Sequence, residues 1–363
     1  MERRRKVLLG MVSVLLIVVF LSAMCFFFRI SCTIRRRRRG SGDSPESGEF
    51  EHREKEADSE ELVVFPGGER FRTQDILDAP GEVVWKSSYG TLYRAAIRLS
   101  ADESGSGGGG SVSVMLLRFV RPACIGRTED ILPLVQLIGF LQHPNLVPLR
   151  ALYVGPRGEK LFVHPFYEAG NLAQFLKGNL HTRGNEGTNK WNIIYELTLG
   201  IARGLEHLHH GFQRPLIHGN LKSKNVLLDA DLQPRLSDIG LHLLLSPAAA
   251  QEMLEASTTE GYKAPELIKM RDASMESDIF SFGIVLLEML TCKDALGCRL
   301  LVLKGELPKD FSFAAVNGIK DQKSNKEEAL LRCYQLASSC CCPSPALRPD
   351  IKLVIRQLKE IGR

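Results

Sequence analysis

The hydrophobic pattern of this 363-residue chain changes character three times. Val7 to Phe28 carries no charge and is almost wholly apolar. At ~1.5 Å per residue it reaches ~33 Å as a helix, enough for a bilayer core. A transmembrane helix is therefore expected over residues 7–28, after a short tail of residues 1–6. A signal peptide would have a shorter apolar region and a small-x-small cleavage site, which Ser22-Ala23-Met24 fits poorly. Gly40 to Glu61 is then rich in Ser, Gly, Glu and Asp. That composition predicts a linker, set at residues 29–64, too polar to build a core.

A folded domain is expected over residues 65–363. Val83 to Leu99, interrupted by Ser87-Ser88-Tyr89-Gly90, reads as a hairpin. Val112 to Leu117 reads as a short apolar strand. Asp130 to Leu141 reads as a helix, with Ile131, Leu134, Val135 and Ile138 on one stripe. Lys160 to His164 forms another strand. Ile194, Leu197, Ile201, Leu205 and Leu208 recur at helical spacing, and Gly211 supplies a stop. Ser281 to Leu290 is apolar nearly all round, as in a helix at the centre of a lobe. The fold class is α+β: a β-rich lobe over about 71–164, then a helical lobe over about 168–363.

A content of 44% hydrophobic and 25% charged residues fits a globular protein with a substantial core. The net charge of +5 is unevenly spread. Ten basic residues against Glu2 put +9 on residues 1–39, so the rest of the chain carries −4. No basic face calls for nucleic acid. Arg29 and Arg35, Arg36, Arg37, Arg38 and Arg39 follow the apolar stretch directly, which favours a large domain facing the cytosol, by the positive-inside rule. Each basic side chain near an anionic leaflet contributes ~1 kcal/mol, so Arg35 to Arg39 are expected to hold membrane lipid. The nine cysteines read as reduced thiols, since the adjacent Cys340, Cys341 and Cys342 are poorly arranged for structural disulfides.

The candidate chemistry lies in His218-Gly219-Asn220, Lys222, Asn225 and Asp238-Ile239-Gly240. Protein kinases place H-R-D-x-x-x-x-N and then D-F-G in this order. Further motifs occur in sequence: His143-Pro144-Asn145-Leu146-Val147-Pro148-Leu149, Gly200-Ile201-Ala202-Arg203-Gly204-Leu205, Gly261-Tyr262-Lys263-Ala264-Pro265-Glu266, Ser277-Asp278-Ile279-Phe280-Ser281-Phe282-Gly283 and Arg348-Pro349. On these residues the chain resembles the plant leucine-rich-repeat receptor-like kinases, and most of all their inactive, kinase-like members. The resemblance covers about Phe71 to the C-terminus and implies a two-lobed protein-kinase-like fold. The repeats themselves do not occur in this sequence.

The resemblance also exposes four departures. Trp85, Ser87 and Gly90 occupy the positions of the glycines that cradle phosphates. Trp85 either roofs that space or faces outward over the sheet. Met115 aligns with the lysine that holds the α- and β-phosphates, and Arg118 is expected to point elsewhere along the strand. Leu134 aligns with the helix glutamate that pairs with that lysine, so a Met115–Leu134 contact is expected in place of the ion pair. Asn220 replaces the catalytic base, and an amide has no basic site in the physiological range. Gly219 replaces the preceding arginine, which leaves phosphorylation at Ser257, Thr258 or Thr259 without an obvious local partner.

Lys222, Asn225 and Asp238 match the family. The resemblance implies two readings of Asn225 and Asp238: magnesium ligands, or residues that hold the loops by hydrogen bonds. No cofactor is required, and weak ATP binding with or without Mg2+ stays open. His218, Glu266, Asp278 and Arg348 are expected to be structural, with Glu266 pairing Arg348 and Asp278 capping the His218 loop. The leading expectation is a membrane-anchored pseudokinase, in the plasma membrane, that binds other receptor-like kinases or signalling proteins. The alternatives are a weak or atypical ATP-dependent serine/threonine kinase, and a membrane-tethered adaptor driven by its basic segment.

Overall fold

The computed structural model describes residues 60–99, 112–182, 187–305 and 323–362. The apolar stretch 7–28, the arginine run and the acidic segment lie outside these residues. Among the described residues no helix is long and apolar enough to cross a membrane.

The first lobe is an antiparallel six-stranded sheet. Its strands are β1 (Glu61–Val64), β2 (Gly81–Lys86), β3 (Gly90–Arg98), β4 (Val112–Val120), β5 (Ala151–Val154) and β6 (Lys160–Pro165). They lie in the order β1-β5-β6-β4-β3-β2. The linker was expected to run to residue 64, yet β1 pairs with β5 from Glu61↔Val154 to Val64↔Ala151. Leu62 and Val63 are partly buried there, so four apolar-to-polar residues beside an acidic run suffice for an edge strand. β4 continues past Leu117 to Val120, three residues beyond the expected end.

Side chains alternate across a strand, and β4 shows the consequence. Met115 and Leu117 pack outward with Phe71, Ile76, Ala95 and Ile97 in a small core. A short helix, α1 (Thr73–Leu77), brings Ile76 to it. Leu116 and Arg118 face the other way, into the interlobe cleft. The inner face also meets α2 (Thr128–Gly139), which buries Ile131, Val135 and Ile138. That helix starts and ends two residues earlier than its apolar stripe suggests. Glu129 and Asp130 sit in its first turn, where the helix dipole favours acids.

The second lobe comprises α3 (Leu172–Thr182), α4 (Gly187–His210), the hairpin β7 (Val226–Leu228) and β8 (Pro234–Leu236), and then α5 (Leu241–Leu244), α6 (Pro247–Glu260), α7 (Met275–Thr291), α8 (Ala295–Lys304), α9 (Lys323–Cys340) and α10 (Ile351–Ile361). Twelve residues of α7 are buried, and a reciprocal Ser274–Ser277 capping box fixes its start. Cys298, Cys333, Cys340 and Cys341 are buried free thiols around it.

Two short elements tie the lobes. The Gly126 N–H donates to Leu244 O at 2.9 Å, and the Ser246 N–H donates to Cys124 O at 2.8 Å. The segment after Asp238-Ile239-Gly240 is thus folded as α5 and α6 and stitched to the loop before α2.

Candidate functional site

The cleft between the lobes encloses about 540 Å³. Its inner wall is apolar, with Leu92, Leu116, Leu149, Phe162 and Leu227 among its lining. Its outer end carries Arg118, Lys222, Asn220, Asn225 and Asp238. Both sets arise from local alternation and turn geometry. Arg118 reaches the cleft because β4 exposes every second side chain there. Asp238 sits at φ +63°, an unusual value for a residue with a side chain, in a turn closed by the Leu241 N–H donating to Asp238 O and tied to the other loop by the Gly240 N–H donating to His218 O.

The central feature is an ion pair between residues 120 positions apart. Arg118 Nη2 donates to Asp238 Oδ1 at 2.5 Å. The side chains are 12% and 7% exposed. This corrects two expectations. Met115 is not at the phosphate-anchor position, since it lies on the outward face in the small core. Arg118, expected to point elsewhere, is the cation that enters the cleft. Met115 and Arg118 stand three residues apart on β4, and an odd step along a strand reverses the face. The expected Met115–Leu134 contact is also absent. Leu134 is half-buried against the main core, whereas Met115 belongs to the other cluster. On α2 it is Val135 and Ile138 that line the cleft.

The loop between β2 and β3 is closed on itself. The Ser87 N–H donates to Gly90 O at 2.9 Å, and the Gly90 N–H donates to Ser87 Oγ at 3.1 Å. Gly90 has no room for a side chain, because a Cβ would collide with the Phe119 carbonyl oxygen across the β3–β4 pair. Trp85 lines the cleft yet stays 44% exposed, so it covers the site without filling it. Tyr89 also lines the cleft, only 4% exposed and edge-on to Trp85 at 6.3 Å between ring centroids. Burial pushes the Tyr89 hydroxyl pKa up, against the opposing charge of nearby Arg118.

Several of the remaining polar groups are engaged with one another. Lys222 Nζ donates to Glu260 Oε2 at 2.9 Å, and Lys224 Nζ donates to Glu260 Oε1 at 2.7 Å. Burial raises the Glu260 pKa, but the two lysines outweigh it and hold the carboxyl below its usual range. The Asn225 side-chain amide donates to Asn220 O at 2.8 Å. Asn220 is buried, and its side-chain oxygen has no partner. Asp238 and Asn225 therefore face the cleft, but Asp238 is neutralised by Arg118 and Asn225 braces the loop. The residues as arranged fit a magnesium–polyphosphate group poorly: the carboxylate that would hold the ion is paired with Arg118, and the loop amides of Ser87 and Gly90 are bonded within the loop.

A second network fixes the loop from below. Asp278 accepts from the His218 and Gly219 N–H groups at 2.8 and 2.9 Å, and lies 2.9 Å from His209 Nε2. Burial raises the Asp278 pKa, and the His209 hydrogen bond leads the group of contacts that lower it overall. Gly219 sits at φ +73°, and a Cβ there would strike the His242 ring. Arg348 makes two bonds to Glu266, at 2.6 and 2.7 Å, and donates to Glu276 O.

Three contributors escape sequence reasoning. Tyr89 carries no chemical signal beyond being aromatic, and Glu260 lies outside the catalytic motifs. His164 lines the back of the cleft with Nδ1 3.1 Å from Pro148 O. Burial pushes its pKa down to about 4. Its signal was available as the last residue of a predicted strand.

Comparisons with known proteins agree with this geometry. The profile described as protein tyrosine and serine/threonine kinase matches residues 82–358. The putative kinase-like protein TMKL1 of Arabidopsis thaliana is 37% identical over 88% of this chain and 47% of its own length. A probable inactive receptor kinase of the same plant is 32% identical over 91% of this chain and 50% of its own. The chain spans about half the length of these curated relatives. The maize SIRK1 kinase domain, solved bound to AMP-PNP, superimposes with a TM-score of 0.65 at 26% identity, covering 84% of this chain and all of that one. The chain belongs to the protein kinase family, and its relatives are plant receptor-like kinases, several of them named inactive.

Proposed function

We propose that this chain is a membrane-anchored pseudokinase, a binding module for other receptor-like kinases or signalling proteins at the cytosolic face. One observation carries the reading. Asn220 stands where a base is needed, beside a metal-ligand position, Asp238, that is bound to Arg118. Loss of a base alone costs orders of magnitude in rate, and a neutralised metal ligand removes charge stabilisation as well. The Asp278 and Glu266–Arg348 networks meanwhile keep the second lobe in shape, which supports use of the domain as a surface. The anchor in this proposal is Val7 to Phe28, with Arg35 to Arg39 against anionic lipid.

The test is a radiolabelled phosphotransfer assay on the purified chain, with an active kinase as control. The expected result is no transfer above that of an Asp238→Asn variant. Robust transfer by the unmodified chain that Asp238→Asn abolishes would sink the reading. One observation favours a second reading, weak phosphotransfer: Arg118 supplies a cation inside the cleft. In that case Asn220→Asp should raise transfer strongly. We expect it to raise nothing, because Arg118 still holds Asp238.

A further inference from the structure

We propose that Lys222 and Lys224 form an acceptor site for a phosphate monoester carried on a partner protein's peptide segment, and that Glu260 is the built-in stand-in which that phosphate displaces. The proposal deepens the binding-module reading and rests on it, since it names the partner's chemistry.

The fastening of α6 is uneven along its length. Its first half buries Ala249, Ala250, Met253 and Leu254, whereas no side chain from Glu255 to Glu260 is buried. The hydroxyls of Thr258 and Thr259 donate to Leu254 O and Ala256 O, inside the helix itself. Threonines are weak helix formers, and an acid in the last turn opposes the helix dipole. One carboxylate ties this turn to the loop of Asn220 to Asn225. Glu260 Oε2 accepts from Lys222 Nζ at 2.9 Å, and Oε1 accepts from Lys224 Nζ at 2.7 Å.

Burial decides which group can leave. The Lys222 side chain is 9% exposed, so its charge needs an anion beside it. Glu260 is 27% exposed, at the end of a turn with no buried side chain, so it reaches water when that turn unwinds. Exchange of Glu260 for another anion therefore strands no charge. The Arg118–Asp238 pair is buried on both sides and offers no such exchange.

The surroundings select the anion. Besides the Arg118–Asp238 pair, the charged lining of the cleft is Lys177, Lys222, Lys224 and Glu168. With Glu260 released, three cations face one carboxylate. Asn220 adds no negative charge where an aspartate would repel an incoming anion. A carboxylate gives each lysine one oxygen, whereas a phosphate monoester brings three oxygens and a charge of about −1.5 to −2.

The experiment uses the purified full chain and three probes: a degenerate library of short peptides with one central phosphoserine, the same library unphosphorylated, and inorganic phosphate. Binding is read by fluorescence anisotropy of the labelled libraries, with inorganic phosphate as competitor, and α6 is followed by amide hydrogen exchange. The phosphopeptides should bind at least about tenfold more tightly than their unphosphorylated twins and speed exchange over residues 255–260. Glu260→Gln should tighten phosphopeptide binding several-fold, because the internal competitor is gone. Lys224→Met should weaken it several-fold. Equal binding of the two libraries overturns the proposal. So does a Glu260→Gln chain whose phosphopeptide affinity is unchanged or lower. Inorganic phosphate that binds as tightly as the phosphopeptides overturns the assignment to a protein partner. If Glu260→Gln does not fold, the exchange response of the unmodified chain decides. Absence of phosphopeptide binding together with absence of phosphotransfer fails this inference alone, whereas phosphotransfer by the unmodified chain fails the binding-module reading.

Discussion

The Arg118–Asp238 pair gives the sharpest test of how the cleft is held. Arg118→Leu removes the cation and leaves a carboxylate whose side chain is 7% exposed. At an effective dielectric near 20 and a separation of 2.5 Å, the gross attraction is ~6–7 kcal/mol, against which desolvation of both ions must be set. Removing one partner of a buried pair costs ~3–5 kcal/mol, because the other charge stays behind. Each kcal/mol moves the melting point of a domain of this general size by ~2–4 °C, so the apparent Tm should fall by roughly 10 °C. Replacing both residues is different. Arg118→Leu with Asp238→Leu leaves no stranded charge, and the apolar wall formed by Leu116 and Phe162 can accept both side chains. The double variant should recover most of the loss, with a coupling energy of ~2–3 kcal/mol or more in a denaturation cycle. Additive single effects, or an Arg118→Leu cost under ~1 kcal/mol, would refute the claim that these charges are buried and mutually dependent.

Three further outcomes follow from other parts of the domain. Glu288 is buried beside Tyr262 and Ser223, and burial lifts its pKa to about 7. The unfolded acid ionises from about 4.5 upward while the folded one stays neutral, so this group makes stability fall between pH 4.5 and 7. Glu288→Gln should flatten that slope in urea titrations across the range and leave the alkaline side more stable than the parent. Gly219→Arg restores the side chain that active kinases carry, yet it forces φ +73° on a branched backbone and drives a Cβ into His242. It should cost ~1–3 kcal/mol or more, measured as a lowered Tm, with no gain in phosphotransfer. Arg348→Lys keeps the charge but loses the bidentate geometry to Glu266 and the planar fork that also reaches the Cys342, Glu276 and Pro343 carbonyls, so thermal denaturation should register a clear loss. Because Glu266 is held below its ordinary pKa, against the burial that raises it, the parent pair's contribution should fade as pH drops into the acid range.

Much of the fold could be read locally. The hairpin's turn at Ser87-Ser88-Tyr89-Gly90, the apolar stripe of α2 and the nearly uniform apolarity of α7 are each legible within windows of about ten to seventeen residues. β1 was missed because four residues beside an acidic run carry too weak a pattern, and only pairing with β5 gives them a partner. The helical form of the segment after Gly240 was missed for a related reason. Its residues are held by Cys124, Gly126 and Lys222, which lie far away in sequence.

The site divides along the same line. The sequence by itself determined the kinase-like order of motifs and the absence of a base at Asn220, because residue identity and spacing settle both. It also located the Asp278 loop and the Glu266–Arg348 partners. What only the tertiary structure decided is which side chains share the cleft. Met115 and Arg118 differ by three positions on one strand, and the strand's alternation sends them to opposite faces. The Arg118–Asp238 and Lys222–Glu260 pairs join segments whose separation in the chain says nothing about their distance in space. Electrostatic neutralisation and the burial of Tyr89 against the cleft are properties of packed neighbours, so no reading of one residue at a time contains them.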